Sequence, residues 1–139
     1  MLKKLCVLIC IVLLIKVFPQ SGLIFMAKGE SYTFYVGQNS SNCQIITVGL
    51  TEAKACKKNL KNLCGESFQT ADKQLVDSEI LRLDCTLCFS EVIGDILTSY
   101  YYSPKIFNYE TINGYKVNVQ VANNLGLYTL ASPLIWGSF

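Results

Sequence analysis

From Ile112 to Ala122 the chain reads INGYKVNVQVA, and this stretch constrains the fold more than any other. A type I′ turn needs positive φ at both of its central residues, and Asn113-Gly114 is a pair that tolerates it. Beyond the turn, Tyr115, Val117, Val119 and Val121 alternate with Lys116, Asn118 and Gln120, so the spacing predicts a strand with one buried and one wet face. A chain with this hairpin near its end is committed to an antiparallel sheet. The surrounding block, Tyr100 to Phe139, repeats the pattern. Pro104 interrupts the ladder before a strand over Phe107–Ile112, and Asn123-Asn124-Leu125-Gly126 turns the chain again. Leu127–Trp136 then reads as a closing strand that Pro133 places at an edge.

The same grammar recurs upstream. DCTLCFSEVI (Asp84–Ile93) and ILTSYYYS (Ile96–Ser103) flank Gly94-Asp95, a type II′ pair, and SYTFYVG (Ser31–Gly37) with CQIITV (Cys43–Val48) reads as a first hairpin. Between these hairpins the period changes. Ala53, Cys56, Leu60 and Leu63 recur at helical steps behind a Thr51 N-cap, with Gly65 ending the helix and Lys54, Lys57, Lys58 and Lys61 forming an outward lysine stripe. A second helix begins at Asp72 or Thr70 and runs through Leu75, Val76, Ile80 and Leu83, with Glu79 and Arg82 outward. The expected class is α+β: an antiparallel meander of about six to seven strands with two helices packed on one face.

The N-terminus has a different character. Lys3 and Lys4 precede Leu5–Ile15 (LCVLICIVLLI), an apolar run of signal-peptide length and well short of the roughly 20 residues that span a bilayer. Candidate processing sites lie near Ser21 and Ala27. An uncleaved anchor results if Leu23–Ala27 joins the apolar run. Residues 1–28 are therefore expected to form a signal or anchor helix. Residues 29–139 form a single small domain outside the cytoplasmic membrane, with the membrane as a partner if the leader is retained. From Gly29 onward eight basic residues face ten acidic ones, a net charge of about −2 that gives nucleic acid no footprint.

The chemistry is narrow. No histidine is present, which excludes His-dependent triads and His-containing zinc sites; no Walker A or Gly-rich dinucleotide loop occurs, and no cofactor is expected. Five cysteines lie beyond the leader's apolar run: Cys43, Cys56, Cys64, Cys85 and Cys88. Cys85-Thr-Leu-Cys88 matches C-x-x-C, the basis of an alternative reading as a thiol-redox or cysteine-metal protein. On a strand, however, residues three apart point to opposite faces. A non-enzymatic binding domain is the leading expectation. Its binding candidates are Tyr100, Tyr101, Tyr102 and Trp136, because aromatic side chains dominate interface energetics, and its partner is a protein or envelope component. Along β-structure Tyr100 and Tyr102 share a side and Tyr101 takes the other.

Taken in order, SYTFYVG, SYYYSPK (Ser99–Lys105), INGYKVNVQVA and SPLIWGSF (Ser132–Phe139) resemble small exported proteins of uncharacterised function from clostridia and related Firmicutes, grouped loosely with the YwmB-like proteins of sporulating bacteria. The resemblance implies a bacterial exterior and a link to sporulation. It carries over no catalytic residue.

Overall fold

The structure, a computed structural model, describes residues 22–29, 31–38 and 42–137. The expected signal or anchor helix lies outside the described residues apart from its last stretch, and so do Asn39–Ser41 of the first turn. Eleven elements follow one another: β1 (Ser31–Val36), β2 (Gln44–Gly49), α1 (Leu50–Asn59), β3 (Leu63–Thr70), α2 (Lys73–Arg82), β4 (Thr86–Ile93), β5 (Ile96–Tyr102), β6 (Glu110–Ile112), β7 (Tyr115–Val117), β8 (Val119–Asn124) and β9 (Leu127–Ser132). Seven strands form one antiparallel sheet in the order β2-β1-β3-β9-β8-β5-β4, and β6 and β7 make a separate hairpin. The class is α+β.

The register explains the two layers. Phe34 pairs with Glu66, Phe68 with Leu130, and Leu130 with Val121, so these side chains share one face. Ala53 of α1 and Leu75 and Val76 of α2 pack onto that face, and with Tyr32, Phe34, Phe68 and Leu130 they form the core. The core also reaches back to Phe25, ahead of the expected domain start at Gly29; its ring lies 5.5 Å from Phe68. On the opposite face the tail beyond β9 crosses towards β1 and β2. Ile135 donates its N–H to Gln120 Oε1, and Gly137 lies against Ile45.

Several expectations change. The first helix starts at Leu50 behind Gly49, which offers no side-chain cap, so Thr51 is not the N-cap. It ends at Asn59, where Leu60 caps the last turn and Asn62 at φ 58° reverses the chain. Gly65 therefore does not end the helix but sits inside β3, the strand between β1 and β9. Glycine is needed there for closeness: a Cβ on Gly65 would lie 2.6 Å from the Ser132 carbonyl oxygen. Cys64 is the extra residue of a bulge opposite Tyr35 and Val36. With β3 inserted, β9 lies between β3 and β8, so Pro133 marks no edge. It stands just past the strand, where its missing N–H breaks no ladder. The second helix is capped as anticipated, with Asp72 Oδ1 accepting from the Gln74 and Leu75 amides.

The Asn113-Gly114 turn has φ 51° and 80°, as a type I′ turn requires, and Gly94 has φ 61°. The valine strand beyond the turn is, however, two strands. Asn118 separates them: its Oδ1 accepts from Ser103 N at 2.6 Å, and its Nδ2 donates to Ser103 O at 2.7 Å and Ile106 O at 3.0 Å. Those bonds tie the loop after β5 to the sheet. Asn118 is fully buried, and Gln120, which accepts from Ile135 N of the tail, is buried too, so the expected wet face ends at Lys116.

Candidate functional site

The densest polar chemistry lies where the helices meet the chain that enters the domain. Gly22–Ala27 runs as a strap over the core, secured by side chains and not by a strand ladder. Glu66 of β3 and Glu79 of α2 are both almost fully buried, and each takes a backbone N–H of the strap: Ile24 N to Glu66 Oε2 at 3.0 Å, Met26 N to Glu79 Oε2 at 3.1 Å. Each carboxylate has its own cation. Lys57 Nζ lies 2.6 Å from Glu66 Oε1 and 2.6 Å from the Gly22 carbonyl oxygen. Arg82 reaches Glu79 through Nε at 2.9 Å and through Nη2 at 2.6 Å, and Nη2 also donates to Ile24 O at 2.6 Å. Tyr32 closes the set by donating to Glu66 and accepting from Phe25 N.

This geometry follows local logic. In α1, Lys57 stands four residues after Ala53 and three before Leu60, at the edge of the apolar stripe; in α2, Glu79 stands four after Leu75 and four before Leu83. Two expectations are thereby corrected. Lys57 does not belong to an outward stripe, since its side chain is 8% exposed, and Glu79, 3% exposed, is inward. Both turn in because the strap presents N–H and C=O groups that would otherwise be buried without partners. Burial and the adjacent Glu66 carboxylate hold the Tyr32 hydroxyl far above the usual phenol range. The Glu79 carboxylate raises Arg82.

A cavity of about 80 Å³ opens beside the Lys57–Glu66 pair, lined by Ile24, Gly65, Ser132 and Pro133 among others. It is large enough to hold water. Cys64 also lines it, but burial raises that thiol, so the cavity holds a charged pair and no activated nucleophile.

The residues singled out from the sequence lie elsewhere. Tyr100 is on the sheet face away from the helices, stacked on Phe89 at 4.4 Å, and its hydroxyl donates to Glu91 Oε1 at 2.6 Å; Phe89 in turn contacts Tyr115 at 5.6 Å. Burial and Glu91 raise the Tyr100 hydroxyl. Tyr101 takes the other side and packs against the core. Tyr102 pairs with Thr86 and is half-buried. Trp136 lies on the tail that crosses towards β2, with its carbonyl accepting from Cys43 Sγ and its buried Nε1 without a partner among the described residues. Trp136 and the tyrosines thus do not converge. Phe89 and Tyr115, which the sequence reading passed over, complete the aromatic group around Tyr100.

Cys85 and Cys88 have different surroundings. Cys85 precedes β4 and packs against the core, and burial with Asp84 and Glu79 pushes its thiol up to about 12. Cys88 is the bulge residue of β4, near the Thr86 and Lys116 carbonyls, and burial raises it too. Both shifts disfavour the thiolate that disulfide exchange and metal binding require. Among the described residues the five cysteines are free thiols, and no three Cys, Asp or Glu side chains converge on a metal-sized site. Comparison with protein-family models, curated proteins and solved structures finds no match to this chain.

Proposed function

We propose that the protein is an exported, non-enzymatic binding domain of a bacterial envelope, held at the outer face of the cytoplasmic membrane where its N-terminal segment is retained and secreted where it is removed. The observation that carries the binding reading is the border formed by β4. This strand ends the sheet, so one row of its N–H and C=O groups faces outward. It also exposes Leu87, Val92 and Ile93, with Leu97 beside them on β5. A long apolar edge of this kind invites pairing with another extended chain. The aromatic group of Phe89, Tyr100 and Tyr115 adjoins it and supplies rigid contact area. The partner that fits is an extended, apolar segment of an envelope protein, adding a strand to β4 by main-chain bonds with side-chain pockets for specificity.

The test uses full-length protein in native cells, fractionated into cytoplasm, membrane and medium. Leu87→Lys and Val92→Lys place charges on the border while the fold stays intact. The expected result is protein outside the cytoplasm and loss of envelope retention in both variants. Cytoplasmic protein would refute the export reading, and unchanged envelope retention of chains that have lost the N-terminal segment would refute β4 as the binding border.

A further inference from the structure

The hairpin of β4 and β5 carries two carboxylates, Glu91 and Asp95, and no lysine or arginine. Glu91 stands in the border strand itself. Along β4 the register separates two faces. Leu87, Ser90 and Val92 pair with Tyr101, Ser99 and Leu97 and share the face on which the helices pack. Phe89, Glu91 and Ile93 pair with Tyr100, Thr98 and Ile96 and share the other.

A strand added to β4 continues both faces, because its own side chains alternate in the same way. On the helix side it meets Leu87, Val92 and Leu97, all exposed, which call for apolar side chains. On the other side it meets a carboxylate. Glu91 is exposed, makes no ion pair with any of the described residues, and accepts from the Tyr100 hydroxyl at 2.6 Å. That bond already restricts the side chain, so a cation pairing with it loses less to conformational entropy than it would at a freely moving glutamate. Phe89, two residues earlier on the same face and stacked on Tyr100, offers ring surface to the stem and charge of a lysine or arginine.

We infer that the partner segment alternates, with apolar side chains on the helix side of the sheet and lysine or arginine on the other, one cation lying directly opposite Glu91. The inference deepens the strand-addition reading above and rests on it. It also sets aside a second copy of this chain as the occupant. Two β4 strands joined antiparallel over most of their length bring their Glu91 carboxylates opposite or diagonal to each other on one face, where like charges repel.

Three short synthetic peptides of alternating valine and a second residue, either lysine, threonine or glutamate, test this against the full chain in a non-ionic detergent micelle, with binding read by fluorescence anisotropy. The lysine peptide should bind best and the glutamate peptide worst. Glu91→Gln should weaken the lysine peptide by about two- to fivefold, the size of one exposed ion pair, and leave the threonine peptide unchanged. Asp77→Asn, which removes an exposed carboxylate of α2, should change neither. A lysine preference that survives Glu91→Gln, or that falls equally with Asp77→Asn, would overturn the inference while strand addition stood; Glu91 would then serve only to guard the edge against self-pairing. Failure of all three peptides to bind, or binding that Val92→Lys leaves intact, would overturn strand addition at β4 itself.

Discussion

The two ends of the sheet solve the same problem in opposite ways. Over β1 and β3, apolar surface and the strap's main-chain polar groups are closed off internally: helices and strap cover Tyr32, Phe34 and Phe68, and two ion pairs satisfy the strap, while β2 beyond them is an edge strand with Ile45 half exposed. At the β5-β4 end they are left open, with Leu87, Val92 and Ile93 more than half exposed and one edge of β4 unpaired. Charge is buried where the chain enters, and apolar side chains are exposed where the sheet stops. The first arrangement serves stability and the second serves contact, so substitutions at the two ends should differ in kind.

The largest expected effect is at the closed end. Glu66→Ala leaves Lys57 almost buried without its partner and removes the acceptor for Ile24 N and the Tyr32 hydroxyl. Breaking a buried pair in this way costs about 3–5 kcal/mol. Replacing both charges, as in Lys57→Met with Glu66→Leu, removes the lone buried cation but not the rest of the cost, because Ile24 N, the Tyr32 hydroxyl and Gly22 O stay without their partners. At the open end, Leu87→Lys and Val92→Lys should change stability by no more than about 0.5 kcal/mol. Urea denaturation of the four proteins makes the comparison. A Glu66→Ala cost below about 1 kcal/mol would remove the distinction between the ends.

That contrast also explains what the sequence could reveal. Turns and hairpins were legible because their determinants are local: Asn113-Gly114, Gly94-Asp95 and the alternation in SYTFYVG act over a few residues. β3 was not legible. LCGESFQT has little β-branched or aromatic content, and the Ala53, Cys56, Leu60 and Leu63 series continues at helical spacing beyond the true end of α1. Its strand state is imposed by β1 and β9 on either side, which is tertiary information. The same omission made β9 look like an edge. The side-chain clamp on the strap was legible only in part: the four-residue steps from Leu75 to Glu79 and on to Leu83 carry a carboxylate on the apolar stripe of α2, yet by its charge Glu79 was expected to face outward. Glu66 could be recognised only once β3 set it on the face of Phe68. The strap itself had no signal, because side chains distant in sequence bind its backbone.

Alkaline pH should strain the closed end next. Burial first, then Glu66, raises Tyr32 above its ordinary 10.0, and burial with Asp84 and Glu79 raises Cys85 from 9.0 to about 12. Both groups are neutral in the folded protein at pH values where the unfolded chain ionises. Their contribution is therefore fully present below pH 9 and is lost as pH rises through the 9 to 12 window, by at most about 1.4 kcal/mol per pH unit for each group. Urea midpoints measured across that window should fall steadily, and Cys85→Ala should flatten the slope at its start. A midpoint that stays level there would mean that neither group is shielded as the geometry requires. Tyr100 is raised in the same direction, but it is partly exposed and solvent screens its share.

The smallest effect compares two turns of one type. Asn113-Gly114 has φ 51° and 80°; Leu125-Gly126, which joins β8 to β9, has φ 51° and 92°. Asn tolerates the left-handed region, whereas an ordinary side chain there costs about 1–2 kcal/mol, and Leu125 offsets little of that because it is 81% exposed. Leu125→Asn should therefore stabilise the protein by about 0.5–1 kcal/mol, read as a higher urea midpoint at unchanged slope. The Gly126 N–H bond to Asn123 Oδ1 is retained, so no polar contact is lost. An increase would show that a strained, exposed leucine is kept beside the open end against the interest of stability, as a contact residue would be. A decrease would instead mean that Leu125 already packs on the fold, and the open end would shrink to the β4 border.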